Sequence, residues 1–164
     1  MDASGLSQGG ARIFSELARD GAGGWHAAYC LDHDLWHDEC DLAYAHREGI
    51  LWVTETVTTS METWESLGLA TDSAGRPHIA YIADNRNLMY ASFDGAAWQF
   101  QVVDPSVDID SNYSPDLALD GADRPHIAYL TRVYGGFVLD YAHFDGTQWL
   151  TTTVDPQQNF YTDR

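Results

Sequence analysis

Residues 117–129 read Leu-Ala-Leu-Asp-Gly-Ala-Asp-Arg-Pro-His-Ile-Ala-Tyr, and residues 141–149 read Tyr-Ala-His-Phe-Asp-Gly-Thr-Gln-Trp. Both stretches recur upstream with their spacing intact. Asp-x5-His-x2-Tyr occurs as Asp20/His26/Tyr29, Asp72/His78/Tyr81 and Asp120/His126/Tyr129. Tyr-x4-Gly-x2-Trp-x4-Val occurs as Tyr44/Gly49/Trp52/Val57, Tyr90/Gly95/Trp98/Val103 and Tyr141/Gly146/Trp149/Val154. A repeat of roughly 40–50 residues marks a propeller or solenoid.

The second copy shows what each unit contains. Leu67–Thr71 is a short apolar stretch and a candidate strand A. Asp72 to Pro77 carries Asp, Gly and Pro in turn order. His78–Ala83 is strand B, Leu88–Phe93 strand C, and Asp94-Gly95 a hairpin signal. Trp98–Val103 alternates apolar with polar residues, the period of a half-buried strand D. No useful run of helical periodicity competes, and Leu17-Ala18 aligns with Leu69-Ala70 and Leu117-Ala118 as strand A of the first copy. The expected fold class is all-β: β-propeller blades, each a four-stranded antiparallel meander, three per chain. The expected division is a flexible segment at 1–14 and blades at 15–65, 66–113 and 114–164.

The two quoted stretches resemble blades of bacterial β-propellers of the sialidase-like, Asp-box-like repeat group. The Asp-box itself is Ser/Thr-x-Asp-x-Gly-x-x-Trp; here Asp94 and Asp145 directly precede Gly, and Glu48 holds the place in the first copy. Such propellers act as lectins, enzymes or docking modules, so the resemblance implies fold more than function.

Composition narrows the partners. Formal net charge is −17, and all eight basic side chains other than His are Arg. An acidic surface repels phosphate backbones, which argues against nucleic acid. No apolar run reaches the roughly 20 residues of a membrane span. Residues 1–10 lack a basic region and an apolar core, so they are no signal peptide. The expected setting is secreted or cell-surface.

Copies differ in only two connections. Tyr to Tyr across the B–C gap is 15, 9 and 12 residues (Tyr29–Tyr44, Tyr81–Tyr90, Tyr129–Tyr141). The D–A gap is 12 and then 14 (Val57–Leu69, Val103–Leu117). In a meander these connections share one end of the blade. That end is the expected binding face, since loops on a rigid scaffold carry recognition.

The repeated His, Asp and Trp residues read as blade architecture: Asp20, Asp72 and Asp120 capping A–B turns, and Trp52, Trp98 and Trp149 in the core between blades. The candidate ligand residues are Trp36, Trp64, Arg86, Asp108, Asp110, Asn112, Tyr113, Arg132 and Tyr134. Aromatic rings beside Asp, Asn and Arg suit sugar stacking and hydrogen bonding, and equally a protein interface. Asp108, Asp110 and Asn112 alternate as in calcium loops but lack the Gly turn and distal Glu of an EF-hand, so calcium stands beside a solvated acidic loop. Cys30, His33, His37 and Cys40 have a zinc-ligand composition; a Cys30–Cys40 disulfide and free thiols are the other readings.

The function expected is a non-catalytic recognition module for a glycan, lectin-like, on the B–C/D–A face. A protein-docking or sensor propeller is the second reading, and a sialidase-like carbohydrate-active enzyme is the alternative of another class. A glycosidase needs two carboxylates at a set separation, and no spacing singles out a pair. Three blades are fewer than the about four to eight of closed propellers. The chain is therefore expected to belong to a longer propeller or to form a homo-oligomer, with a six-bladed dimer favoured over nine blades from three chains.

Overall fold

The computed structural model describes residues 15–32, 40–61, 67–83, 87–105, 115–134 and 136–155. They form twelve strands: β1 Ser15–Arg19, β2 Trp25–Asp32, β3 Cys40–Glu48, β4 Leu51–Met61, β5 Leu67–Thr71, β6 Pro77–Ile82, β7 Leu88–Phe93, β8 Trp98–Asp104, β9 Asp116–Leu119, β10 Pro125–Val133, β11 Gly136–Phe144 and β12 Trp149–Asp155. Each consecutive four make one sheet in sequence order, with antiparallel pairing throughout. This is the blade meander, three times.

The inner strands β1, β5 and β9 lie side by side. Gly68 on β5 lets them do so: a Cβ there would stand 2.7 Å from the Pro115 carbonyl oxygen and 3.0 Å from the Leu117 nitrogen. Each sheet has a register shift at its C strand, at Leu42, Leu88 and Leu139, which hold equivalent places. An extra residue there adds twist to the outer strand.

The core lies between sheets. Ala28, Leu42, Tyr44 and Val57 of the first sheet meet Leu67, Ile79, Tyr81 and Ala91 of the second. Ala80, Leu88, Tyr90 and Val103 of the second meet Leu117, Ile127, Tyr129 and Ala142 of the third. The first set of each seam aligns residue for residue, so one packing solution is used twice. Burying each Leu or Ile side chain contributes about 1.5–3 kcal/mol.

One expectation needs correction. Trp98 and Trp149 do pack against the preceding sheet, but Trp52 is 49% exposed. The motif is the same; what Trp52 lacks among the described residues is a sheet in front of it.

Candidate functional site

The A–B and C–D turns share one end of the sheets, where turn carboxylates and amides bond one another while, among the described residues, the buried His78 Nε2 and His126 Nε2 make no hydrogen bond. The Asp72 carboxylate accepts from the Ala74 and Arg76 amides at 2.9 and 2.8 Å and from Arg76 Nε at 2.6 Å. Asp120 repeats this with Ala122 and Arg124. Burial pushes the Asp72 carboxyl up, and the bonds from Arg76 and the Ala74 amide outweigh it, so the net shift is down. Asp120 is held low by its Arg124 bond first and the turn amides next. The turn cap predicted for these Asp residues is therefore present.

A side-chain relay runs inward from each cap. His26 Nδ1 pairs with Tyr44 Oη at 2.6 Å, and its Nε2 with Asp20 Oδ2 at 3.2 Å. His78 pairs with Tyr90 through Nδ1, and its Nε2 lies 3.6 Å from Asp72. His126 pairs with Tyr141 at 2.5 Å, and its Nε2 lies 3.5 Å from Asp120. Burial lowers the His78 pKa, with Asp72 opposing; burial raises those of Tyr44 and Tyr90. In the second sheet these directions fit a neutral His78 imidazole whose Nδ1 accepts a hydrogen bond from the Tyr90 hydroxyl. The relay was missed as a unit in the sequence, although each member stands in all three copies at fixed spacing.

Position 123 adds a clamp between sheets. Asp123 has φ of 59°, where the equivalent positions hold Gly23 and Gly75. Its carboxylate accepts from the Ser73 amide at 2.8 Å and the Ser73 hydroxyl at 2.6 Å. Left-handed backbone is tolerated by Asp better than by most residues.

The opposite end carries the B–C and D–A connections and differs from sheet to sheet. The β6/β7 pair ends at Ile82↔Leu88, one residue beyond Tyr81. The β2/β3 pair runs on to Asp32↔Cys40, where a Cys30–Cys40 disulfide joins the strands with Cα atoms 5.6 Å apart. The disulfide occupies both sulfurs that a zinc site would need as thiolates. The β10/β11 pair runs furthest, to Val133↔Gly136. This hairpin presents Tyr134, which is fully exposed, with exposed Arg132 behind it. Arg132 faces Phe137 in the register.

Of the predicted ligand residues, Arg132 and Tyr134 fall together on this hairpin. Trp36, Trp64, Arg86, Asp108, Asp110, Asn112 and Tyr113 lie outside the described residues, as do His33 and His37. The calcium reading thus lies outside them too. Among the described residues no three His, Cys, Asp or Glu side chains group to hold a metal, and no helix is long and apolar enough to cross a membrane.

Three meander sheets packed face to face, with a bonded end and a variable end, define a β-propeller fold. No protein-family model matches the chain, and no curated protein does. Solved structures do share its fold. It is similar to a fucose lectin from Kordia zhangzhouensis in complex with methyl-fucoside, at TM-score 0.53 and 17% identity, over 85% of this chain and 96% of that one. It is also similar to a mutant of the Aleuria aurantia lectin in complex with Fucα1-6GlcNAc, at TM-score 0.60 and 14% identity; that match covers 85% of this chain and 47% of the other. At these identities the likeness is one of fold.

Proposed function

We propose that the chain is a non-catalytic, glycan-binding propeller module that takes its ligand at the B–C/D–A end. The observation that carries this is the division of labour between the two ends. Turn carboxylates, Arg side chains and the His–Tyr pairs bind each other at one end. At the other, the β10/β11 hairpin holds an exposed aromatic ring and a guanidinium on a rigid two-stranded base. An aromatic face stacks on a sugar's C–H surface while Arg bonds its hydroxyls. The two lectins that share the fold make a fucoside the first ligand to try. The finer likeness to Asp-box propellers rests on Asp94 and Asp145, whose carboxylates cap their C–D turns. The Cys30–Cys40 disulfide favours an oxidising, extracellular setting.

The test is titration calorimetry with methyl-fucoside, backed by a glycan array run with calcium and with chelator. Saturable binding without turnover supports the reading. Hydrolysis of a chromogenic glycoside, lost on replacing a carboxylate, overturns it. Loss of binding in chelator alone would assign calcium a part through the Asp108–Asn112 loop.

A further inference from the structure

Both seams between the described sheets use the same pair of faces, and among the described residues one copy of each face is left open. At the first seam the Trp98 ring meets Tyr44 edge-on at 5.5 Å, and its Nε1 donates to Glu55 at 3.3 Å. At the second, Trp149 meets Tyr90 at 5.2 Å and donates to Gln101 at 2.8 Å. Glu55 and Gln101 each stand three residues after the Trp of their own sheet; Thr152 holds that place in the third sheet. The Val beside each acceptor is covered at both seams, Val57 at 8% exposure and Val103 at 5%, while Val154 is 58% exposed. On the other face, Leu117 is 6% exposed and its counterpart Leu17 is 59% exposed. Trp52 belongs with Leu17. Across the second seam Tyr129 donates to Asp104 at 2.9 Å.

We propose that the open face of the first sheet, with Leu17 and Trp52, docks on the open face of the third sheet, with Tyr141, Thr152 and Val154, in a second copy of this chain. The contact forms twice, because each copy offers both faces, and two copies of three sheets close a six-sheet ring. Six lies within the about four to eight blades of closed propellers. The occupant is argued from continuity: the seam already exists twice in the chain, and the open faces are its two unpaired halves. Uncovered, they would leave apolar side chains and the outward surface of a sheet in water, a hazard for aggregation. Two chains of net charge −17 repel each other, so the association is apolar in character and strengthens with salt. The inference does not rest on glycan binding.

Light scattering and analytical ultracentrifugation of the full chain test it. The expected mass is twice that of the 18.3 kDa chain. Trp52→Ala and Val154→Arg, both at exposed positions, are each expected to weaken the dimer about a hundredfold while leaving the β-sheet circular dichroism unchanged. Mixing the two variants decides the geometry. A mixed dimer has one seam carrying both changes and one seam intact, so the mixture regains dimer that neither variant forms alone. A wild-type monomer, another stoichiometry, or a mixture no better than its parts overturns the proposal.

Discussion

The two ends of the sheets were built from the same repeat and now do different things. At the turn end, every copy spends its Asp and His on internal bonds, and the copies differ little. At the loop end, the three hairpins stop at three heights. The difference teaches that a repeat protein can keep its fold with one end of each unit and leave the other free to diverge. If so, substitutions at the turn end act on stability, and substitutions at the loop tips act on binding.

The largest expected effect tests the turn end directly. Asp72→Ala removes the acceptor for two turn amides and for Arg76 Nε, and takes the carboxylate away from His78. The Asp72 side chain is fully buried, so those donors lose a partner that water replaces poorly. Urea unfolding is expected to show a loss of about 3 kcal/mol. A loss below about 0.5 kcal/mol would mean that the turns are not what holds this end.

Reduction of Cys30–Cys40 is the next largest and is the exception that sharpens the contrast. It sits at the loop end yet concerns stability. Opening a loop closed over a sequence separation of 10 is expected to cost about 2–3 kcal/mol through the entropy returned to the unfolded chain. Unfolding midpoints with and without reductant measure it. An unchanged midpoint would show that the β2/β3 pairing alone fixes that hairpin.

Much of this architecture was readable beforehand, and the reasons are local. Strand C of the second copy, Leu88–Phe93, was placed to the residue, and strand D differs by the one residue Asp104. Alternation and Gly or Pro punctuation act within a few residues, so they show in the sequence. The fate of Trp52 did not, because Trp52, Trp98 and Trp149 share one motif and differ only in whether a sheet stands before them. The His–Tyr pairs depend on the register of strand C against strand B, which short-range spacing suggests only when the three copies are laid side by side. The unequal Tyr-to-Tyr gaps mark the end that carries Arg132 and Tyr134, a signal that comes from comparing copies rather than from any motif, but they do not show that β10 runs on through Arg132 as strand.

Acid titration separates the relay from the turns by pH. The folded pKa of His78 lies below its ordinary 6.5 because burial disfavours the imidazolium. The unfolded chain therefore takes up the proton first. The stability that neutral His78 contributes is fully present above about 6.5 and is lost as pH falls through the lowered folded value. Asp72 and Asp120, also lowered, contribute stability above their ordinary 3.8 that is lost further into acid. Two successive declines are expected in the unfolding midpoint. His78→Asn, which keeps an acceptor for Tyr90, should flatten the upper one only. Parallel curves for the two proteins would assign the upper decline to another group.

The smallest effect on stability is expected at the loop end, and it is the most informative about function. Tyr134 is fully exposed at the tip of the β10/β11 hairpin, and among the described residues no packing holds the ring in place. Tyr134→Ala should change the unfolding free energy by less than about 0.5 kcal/mol. If the ring is a sugar platform, the same change should weaken methyl-fucoside binding by about tenfold or more, the scale of losing one stacking contact of ~1.4 kcal/mol. Tyr134→Phe should keep most of the affinity, because stacking uses the ring and not the hydroxyl. Binding unchanged in the alanine variant would move the ligand away from this hairpin to the other loops of the same end. Stability lost together with binding would break the comparison itself, since a loop tip would then be carrying the fold.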